Sequence, residues 1–372
     1  MNRARPIDPP RATLAQGKAT VPDTGIPGRD ERCEVFVNDT FHDARRHGFL
    51  LPGLVLFLLL AACGSLALGP VDLAPTRVVA ALVGRADPVA QAIVVDLRLP
   101  RLLVGLLVGA ALGLGGAVLQ GFLRNPLAEP SVLGTSNAAA LGAVVMLYFG
   151  LADWHGVAMP AVAIVSGLGA LALLFMLAGR SESPLTLILA GIAVSTLAAA
   201  GISLALNLSP NPFAAMEIMT WLLGSIENRS FAHVRIALPC VAIGCALMLT
   251  SGKAIDALSL GEDGARSLGV DLARSRIVIL SGVAIGVGGA VAVSGAIGFV
   301  GLIVPHLVRP FTDRGPSAVL LPSLLAGALL LTLADIAVRL IPTTTELKLG
   351  VVTAFLGVPV FMTHLLRERR IW

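Results

Sequence analysis

The arginines before the second apolar segment have the clearest capacity for binding chemistry. Four of them cluster there: Arg77, Arg85, Arg98 and Arg101. A planar guanidinium binds a carboxylate through two parallel hydrogen bonds, so a cluster of this kind fits an acidic partner surface. Pairing with the nearby carboxylates of Asp72, Asp87 and Asp96, or with lipid headgroups, is the structural alternative.

The remaining polar residues offer little for catalysis or metal binding. The four cysteines and six histidines form no CxxC, HExxH or other metal-ligand spacing. His306 follows Pro305 in a short apolar segment, where a haem or iron ligand and a structural histidine both remain open; the structural role is the more common one. The sequence has no GxSxG and no paired aspartates. We therefore expect no catalytic residue, no bound metal and no cofactor on this chain.

The composition predicts a membrane protein. Of the 372 residues, 56% are hydrophobic and 13% charged, against about 25% charged in soluble domains. The net charge of +4 is small and dispersed, so nucleic acid is not an expected partner. We predict an all-α fold with ten transmembrane helices. The predicted spans are 49–68, 99–122, 131–150, 157–179, 185–208, 232–251, 275–296, 297–311, 317–341 and 348–366.

The organisation follows from these segments. Residues 1–48, rich in Pro, Arg, Asp and Gly, are predicted to form a disordered cytoplasmic tail, and residues 49–372 a transmembrane domain. An even number of spans places both termini on one side. A modest excess of Lys and Arg in the loops on that side predicts that it is cytoplasmic. The four clustered arginines oppose this bias, which again suggests an outer surface that meets something acidic.

A glycine-rich motif occurs twice. GAALGLGGAVLQG at Gly109–Gly121 resembles GVAIGVGGAVAVS at Gly282–Ser294. Small residues let helix backbones approach closely in lipid. The predicted packing glycines are Gly109, Gly113, Gly116, Gly282, Gly286 and Gly289. Because five spans separate the two copies, they cross in opposite directions, which predicts an inverted repeat with halves at about 99–208 and 275–366.

The longest charged loop between spans covers residues 252–276. Glu262 and Arg266 lie four residues apart, in the favourable order on a helix. Gly261 and Gly269 are start and stop signals for a short helix, with Leu260 and Leu268 offering apolar contact at its ends. Such a helix suits docking of a partner, and an ordinary solvated turn is the alternative.

Several separated motifs together resemble the permease subunits of type II ABC importers, the cobalamin, iron-siderophore and haem uptake group. The resemblance covers about residues 50–370. Its motifs are Arg98-Leu99-Pro100-Arg101, Asn125-Pro126-Leu127-Ala128-Glu129-Pro130, Leu260–Gly269, Gly298-Phe299-Val300-Gly301-Leu302, Pro305-His306-Leu307-Val308-Arg309, Ala334-Asp335 with Arg339, and Gly357-Val358-Pro359-Val360-Phe361. It implies a homodimer in the bacterial inner membrane with two ATPase subunits and a periplasmic binding protein.

The resemblance also implies site residues. Arg98, Arg101 and Arg339 match arginines that receive acidic residues of the binding protein, although Arg339 is also spaced to pair with Asp335 within one helix. The ATPase-coupling residues are Leu260, Gly261, Glu262, Ala265, Arg266, Leu268 and Gly269.

The resemblance also implies which residues form the cytoplasmic gate and the transport pathway. Asn125 and Leu127 match the gate, and the fifth span contributes pathway hydroxyls at Ser195, Thr196 and Ser203. A second gate position, polar in the cobalamin permease, is Pro184-Leu185 here, which departs from the family pattern.

The sequence lacks a GxxxxGK[ST] phosphate loop, so ATP and Mg²⁺ are expected on a partner chain. An ion-coupled secondary transporter is the competing class, but the spans offer only Asp335 and Glu129 as carriers, each with arginines nearby. The assignable lining is apolar and the chain has one tyrosine, Tyr148. We expect an iron chelate as cargo, haem first and a ferric siderophore second, with cobalamin as the alternative.

Overall fold

The computed structural model describes residues 49–71, 73–151, 158–179, 184–313, 315–343 and 345–368. The predicted tail at 1–48 lies outside these residues. Every described residue belongs to one compact unit, Arg46–Trp372.

Within the described residues, helices and the turns between them make up the whole fold, and no strand occurs. The all-α prediction is therefore confirmed. The helices are α1 (Phe49–Ala67), α2 (Pro75–Leu82), α3 (Pro88–Leu123), α4 (Thr135–Tyr148), α5 (Ala158–Ala178), α6 (Pro184–Asn207), α7 (Pro212–Leu222), α8 (Phe231–Thr250), α9 (Gly252–Leu258), α10 (Glu262–Ser267), α11 (Leu272–Ser294), α12 (Val300–Val308), α13 (Leu320–Leu340) and α14 (Leu349–Glu368).

Each of the ten predicted spans contains one of these helices. Seven helices in the described part of the chain are long and apolar enough to cross a membrane, and three apolar ones are shorter: Thr135–Tyr148, Val300–Phe311 and Leu349–Thr363. Ten crossings therefore remain a prediction. The helix in the second predicted span begins at Pro88 rather than at residue 99, because the chain continues through a π-helical stretch, Ala92–Arg98, directly into the apolar run.

The glycines of the first repeat copy bring α3 into backbone contact with two other helices. A methyl group on Gly109 would meet the carbonyl oxygen of Gly327, and one on Gly113 would meet that of Ser323, both in the α13 region. A methyl group on Gly116 would meet the carbonyl oxygen of Gly301 on α12. These contacts leave no room for any larger residue, so the predicted packing role of the three glycines agrees with the geometry.

The second repeat copy packs differently. Gly282 lies against Met248 and Leu247 of α8, and Gly289 lies against Cys240 of the same helix. Gly286 contacts Gly244, also on α8. The two copies of the motif therefore both make close helix contacts, but α3 uses its copy against α12 and α13, whereas α11 uses its copy against α8.

Helices α3 and α11 run in opposite directions, as the repeat predicted. The part of α3 around Arg98 and Arg101 lies near Arg339, and α3 ends at Leu123, close to the segment that carries α9 and α10. α11 begins just after α10 and ends at Ser294, whose carbonyl oxygen accepts a 2.7 Å hydrogen bond from Ser225 N in the loop before α8. We call the end of the bundle with Arg98, Arg101, Arg229 and Arg339 the arginine end, and the end with Arg124, Arg309, α9 and α10 the loop end.

Candidate functional site

Two arginines of the predicted docking set form a buried ion network with carboxylates from distant segments. Arg101 Nε donates to Asp335 Oδ1 at 2.8 Å, and Arg101 Nη1 donates to Glu346 Oε2 at 3.1 Å. Arg339 Nη2 lies 3.0 Å from Asp335 Oδ2. The Asp335 side chain is 2% exposed and thus holds both guanidiniums at once. The intrahelical pair between Asp335 and Arg339, considered as an alternative from the sequence, is present.

Arg98 is bound by backbone oxygens at the end of α1. Its Nη1 donates to Leu66 O at 2.8 Å and to Ala67 O at 2.7 Å, and its Nη2 donates to Val71 O. The residue is 6% exposed. Arg339 completes this junction by donating to Ser65 O at 3.0 Å. The carbonyls at a helix C-terminus carry partial negative charge, so these arginines fasten α1 to α3 and α13.

The arginine end encloses a cavity of about 270 Å³. Its lining residues are Pro70, Val71, Ile93, Leu97, Arg98, Arg101, Asn228, Arg229 and Arg339. Arg229, which the sequence analysis did not select, lies in the loop before α8 and donates to Ser225 O at 3.2 Å. Burial lowers the pKa of the Arg229 guanidinium, and the charge of Glu227 partly offsets this shift. Four guanidiniums therefore line one cavity.

A larger cavity, of about 560 Å³, adjoins the first through Asn228 and Arg229. Its lining mixes apolar and polar side chains: Phe213, Met216, Glu217, Thr220, Trp221, Ser225, Glu227, Asn228, Arg229 and Lys348. Lys348 Nζ donates to Glu227 Oε2 at 2.8 Å, joining the start of α14 to the same loop. Nine of these ten residues lie between residues 213 and 229, and Lys348 comes from a distant segment. They form no recognisable motif, so sequence reasoning had no signal by which to find them.

Of the three carboxylates considered from the sequence as partners of the arginines, Asp72 lies outside the described residues. Asp87 does pair with Arg77, at 3.2 Å on the surface, as the structural alternative proposed. Arg101, however, takes its carboxylates from Asp335 and Glu346. Arg98, Arg101 and Arg339 thus have internal partners, and docking of a binding protein through them stays a prediction.

The predicted gate residues lie in the turn after α3. The Oδ1 atom of Asn125 accepts a 2.9 Å hydrogen bond from Leu127 N, so the asparagine side chain shapes its own turn. Leu127 is 47% exposed. Glu129, four residues after Asn125, accepts a hydrogen bond from Ser131 Oγ and lines a cavity of about 190 Å³ between the start of α4 and the start of α12.

The three predicted pathway hydroxyls divide into two groups. Ser195 is bound inside the protein, because Asn137 Nδ2 donates to its Oγ at 2.5 Å and that Oγ donates to Ser131 O at 3.3 Å. Thr196 and Ser203 are on the exposed face of α6, where each donates to the carbonyl four residues earlier. Leu185 lies at the second gate position, where this chain departs from the family pattern. It is 64% exposed at the start of α6.

The predicted coupling loop contains the expected short helix, α10, between Gly261 and Gly269. Both glycines have left-handed φ values, +90° and +79°, which favour glycine. Leu260 and Leu268 are 70% and 64% exposed at the two ends of α10, while Ala265 is fully buried beneath it. Arg266 Nη1 forms an ion pair with Asp263 Oδ1 at 3.1 Å within α10, and the predicted pairing of Arg266 with Glu262 stays a prediction.

His306 lies half-buried on α12, next to Pro305. Among the described residues, no group of three or more His, Cys, Asp or Glu side chains is arranged to hold a metal ion. Among the described residues, no such group of side chains lies beside His306 to form a metal site with it.

Comparison with known proteins finds a family match and several similar chains. Residues 56–367 match the family model described as the FecCD transport family. An uncharacterized ABC transporter permease protein, YvrB of Bacillus subtilis, is 39% identical over 77% of this chain and 82% of its own length. The cobalamin import system permease protein BtuC of Halobacterium salinarum is 40% identical over 76% of this chain and 75% of its own.

A third relative and one solved structure cover more of the chain. The vitamin B12 import system permease protein BtuC of Citrobacter koseri is 36% identical over 88% of this chain and 96% of its own length. A structure described as an inward-facing conformation of a metal-chelate type ABC transporter superposes with a TM-score of 0.74 and 33% identity. It covers 86% of this chain and 99% of that one.

Proposed function

The chain belongs to the FecCD transport family and is an ABC transporter permease, and from that premise we propose that it imports a metal chelate delivered by a binding protein. The observation that carries the proposal is the match of residues 56–367 together with relatives that are similar over most of both chains. Beyond membership of the family, we propose three things: the chelate as cargo, the binding protein and the ATPase as partners.

We propose that the ATPase binds at the loop end through α10. Exposed leucines are costly to leave in water, and Leu260 and Leu268 stand at the two ends of one short helix. Ala265 anchors that helix to the bundle. A movement of the ATPase would thus be transmitted to α9 and α11, which flank α10. ATP and Mg²⁺ belong to that partner, since this sequence has no phosphate loop.

We propose that the binding protein docks at the arginine end. The guanidiniums lining the 270 Å³ cavity give this end a surface suited to acidic side chains. Because Asp335 and Glu346 already hold Arg101 and Arg339, we expect docking to use the remaining hydrogen-bonding capacity of these arginines and that of Arg229. A homodimer, with its pathway between two copies, completes the proposed importer in the inner membrane.

Cobalamin is now the first candidate for the cargo. Relatives named as cobalamin or vitamin B12 permeases align with this chain at 36–40% identity. Haem, which the sequence analysis placed first, is the second candidate because the fifth span offers few polar groups: Thr196 and Ser203 are bonded to their own helix. A ferric siderophore is the third.

An ion-coupled secondary transporter fits less well. Such a mechanism needs a membrane carboxylate that can exchange its ion. Asp335 lies between Arg101 and Arg339, at 2.7 Å and 3.0 Å, so its carboxylate oxygens are already occupied by two guanidiniums. Glu129 is left as the one carrier among the two considered from the sequence.

The test is purification of the tagged chain from its host in mild detergent, followed by mass spectrometry of the proteins that accompany it. We expect an ATPase subunit in equal amount and a soluble binding protein. Replacing Leu268 with Glu should remove the ATPase, whereas Ala273→Glu, an exposed change in the first turn of α11, should not. A chain that purifies alone and takes up cargo with a proton gradient would contradict the proposal.

The cargo is tested by binding to the accompanying binding protein. We expect cyanocobalamin to bind and to be taken up by proteoliposomes that contain the whole complex and ATP. An absorption spectrum with a Soret band in the purified binding protein, and no uptake of cyanocobalamin, would replace cobalamin with haem.

A further inference from the structure

A cavity of about 470 Å³ lies at the loop end, between the end of α3 and the 3₁₀ turns that follow α12. It is lined by Gln120, Gly121, Arg124, Asn125, Pro126, Ser259, Arg309, Gly315, Pro316 and Val319. Two guanidiniums are among these residues and no acidic side chain is. The cavity also contains the predicted gate residue Asn125, and Ser259, which precedes α10.

Arg309 is held toward this cavity by a neutral partner. Its Nη2 donates to Gln120 Oε1 at 3.2 Å. The Gln120 amide is itself fixed, because its Nε2 donates to Gly301 O at 3.3 Å and to Leu302 O at 3.2 Å. This chain of bonds orients the guanidinium without neutralising its charge. Arg309 is exposed to the cavity.

Arg124 occupies a backbone conformation that is unfavourable for its residue type. With φ 49° and ψ 36° it is the left-handed residue that ends α3. Glycine is the usual residue at such a helix end, because a Cβ crowds the neighbouring carbonyl oxygen in the left-handed conformation. Glycine would adopt this backbone conformation more easily than arginine. Arginine at this position therefore contributes through its side chain. That side chain is exposed, and the structure gives it no carboxylate partner among the described residues.

The carboxylate of Asp256, which lies close to the cavity wall at Gly315, is already bound. Its Oδ1 accepts from Ser317 N at 2.8 Å and its Oδ2 from Ser317 Oγ at 2.5 Å. The two arginines therefore face a cavity whose described lining residues provide donors, in Arg124, Arg309 and Asn125, and include no acidic side chain. An anionic group with several acceptor oxygens matches that arrangement.

The position of the cavity at the ends of two apolar helices indicates where the anionic group comes from. α3 is apolar up to Leu123, and the apolar helix Val300–Phe311 ends beside the cavity as well. Arginines at the ends of apolar helices lie at the level of lipid headgroups, where anionic lipids attract them. We propose that Arg124 and Arg309 bind the phosphate of an anionic lipid headgroup, which thereby holds the turn that carries Asn125. The effect on gating rests on the proposed function, but the binding does not.

The experiment measures lipid bound to the full-length chain, purified with its ATPase where the two co-purify. Native mass spectrometry during titration with phosphatidylglycerol, and separately with phosphatidylcholine, gives the relative affinities. We expect tighter binding of phosphatidylglycerol by the wild type. Arg124→Gly and Arg309→Gln should each weaken it by about fivefold, the effect of one arginine near a charged membrane surface. Arg274→Gln, an exposed change at the same end, should leave it unchanged.

Arg124→Gly separates binding from folding. Glycine adopts the left-handed conformation more readily, so the variant should unfold at the same temperature as the wild type or higher while binding phosphatidylglycerol more weakly. If Arg309→Gln does not fold, Arg309→Lys keeps the charge and should bind phosphatidylglycerol more tightly than phosphatidylcholine, with reduced affinity.

Several results would overturn the proposal. Equal wild-type affinity for the two lipids would do so, as would unchanged phosphatidylglycerol binding in both Arg124→Gly and Arg309→Gln. Displacement of phosphatidylglycerol by inorganic phosphate would assign the site to free phosphate instead. Loss of the ATPase with unchanged lipid binding in these variants would assign the arginines to a protein contact. Because lipid binding needs no partner chain, failure here leaves the importer proposal standing, and failure of the importer proposal leaves this test intact.

Discussion

Arginines at the two ends of the bundle have opposite surroundings. At the arginine end, Arg101 and Arg339 share the buried carboxylate of Asp335, and Glu346 completes the network. At the loop end, Arg309 contacts only a neutral amide in the described structure, and Arg124 extends from a strained turn. The first arrangement fastens helices together, whereas the second leaves positive charge for a group outside the chain.

This difference shows what a cluster of arginines does and does not indicate. Arg98 and Arg101 stand out in the sequence because they oppose the expected charge bias, yet Arg98 is buried, the Arg101 side chain is 12% exposed, and both are bound within the fold. Arg124 and Arg309 agree with the bias, and the sequence analysis assigned neither a role of its own. The positions of the carboxylates, which only the fold brings near, decide which arginines serve structure and which serve binding.

The largest expected effect comes from removing the shared carboxylate. Asp335→Ala leaves Arg101 and Arg339 buried with like charges facing each other, which should lower the free energy of unfolding by about 3–5 kcal/mol. Thermal unfolding of the purified protein in detergent measures the change. The matched control is Arg77→Ala, which breaks an exposed pair at the same end and should change stability by about 0–1 kcal/mol. Equal effects of the two substitutions would contradict the structural role assigned to the buried network at the arginine end.

A smaller effect is expected in the middle of α3, the helix that joins the two ends. Gly116→Ala places a methyl group against the carbonyl oxygen of Gly301 and should destabilise the protein by about 1–3 kcal/mol. Gly288→Ala in the second repeat copy meets no atom within 4 Å, so it should be neutral or stabilising by up to about 1 kcal/mol. The same unfolding measurement compares them. A tolerated Gly116→Ala would show that α3 and α12 can move apart without cost.

The smallest effect on stability, with a large effect on function, is expected at α10. Leu268→Glu alters a side chain that is 64% exposed, so the unfolding temperature should stay within experimental error. ATP hydrolysis should no longer respond to the binding protein, because the apolar contact with the ATPase is lost. Ala273→Glu should retain the response. Coupled transport in Leu268→Glu would remove α10 from the ATPase interface.

Local features of the fold could be predicted from the sequence because they depend on neighbouring residues. Long apolar segments indicated the helices, and Gly261 and Gly269 marked the ends of α10, where left-handed φ values require glycine. The paired motifs around Gly109 and Gly282 indicated close helix contacts, although not their different partners. The loop between α11 and α12, with left-handed φ values at Gly295 and Phe299, set a boundary that composition alone had not resolved.

The site chemistry was harder to predict because it depends on contacts between distant segments. Arg101 meets Asp335 and Glu346 from the last third of the chain. Arg229 is an isolated arginine in a loop and joins two cavities only in the folded protein. Glu262 is spaced to pair with Arg266, and Asp263, one residue later, also lies within reach and forms an ion pair with it, since both spacings are reachable on one short helix.

Site-specific crosslinking tests the assignment of the two ends most directly. The chain's four cysteines are first replaced with serine, and a photoreactive probe is then attached to a single cysteine at Leu268 or at Arg77, exposed positions at opposite ends. In membranes of the native host, the account predicts an adduct with the mass of an ATPase subunit from Leu268→Cys and none from Arg77→Cys. An ATPase adduct from Arg77→Cys, with none from Leu268→Cys, would contradict it.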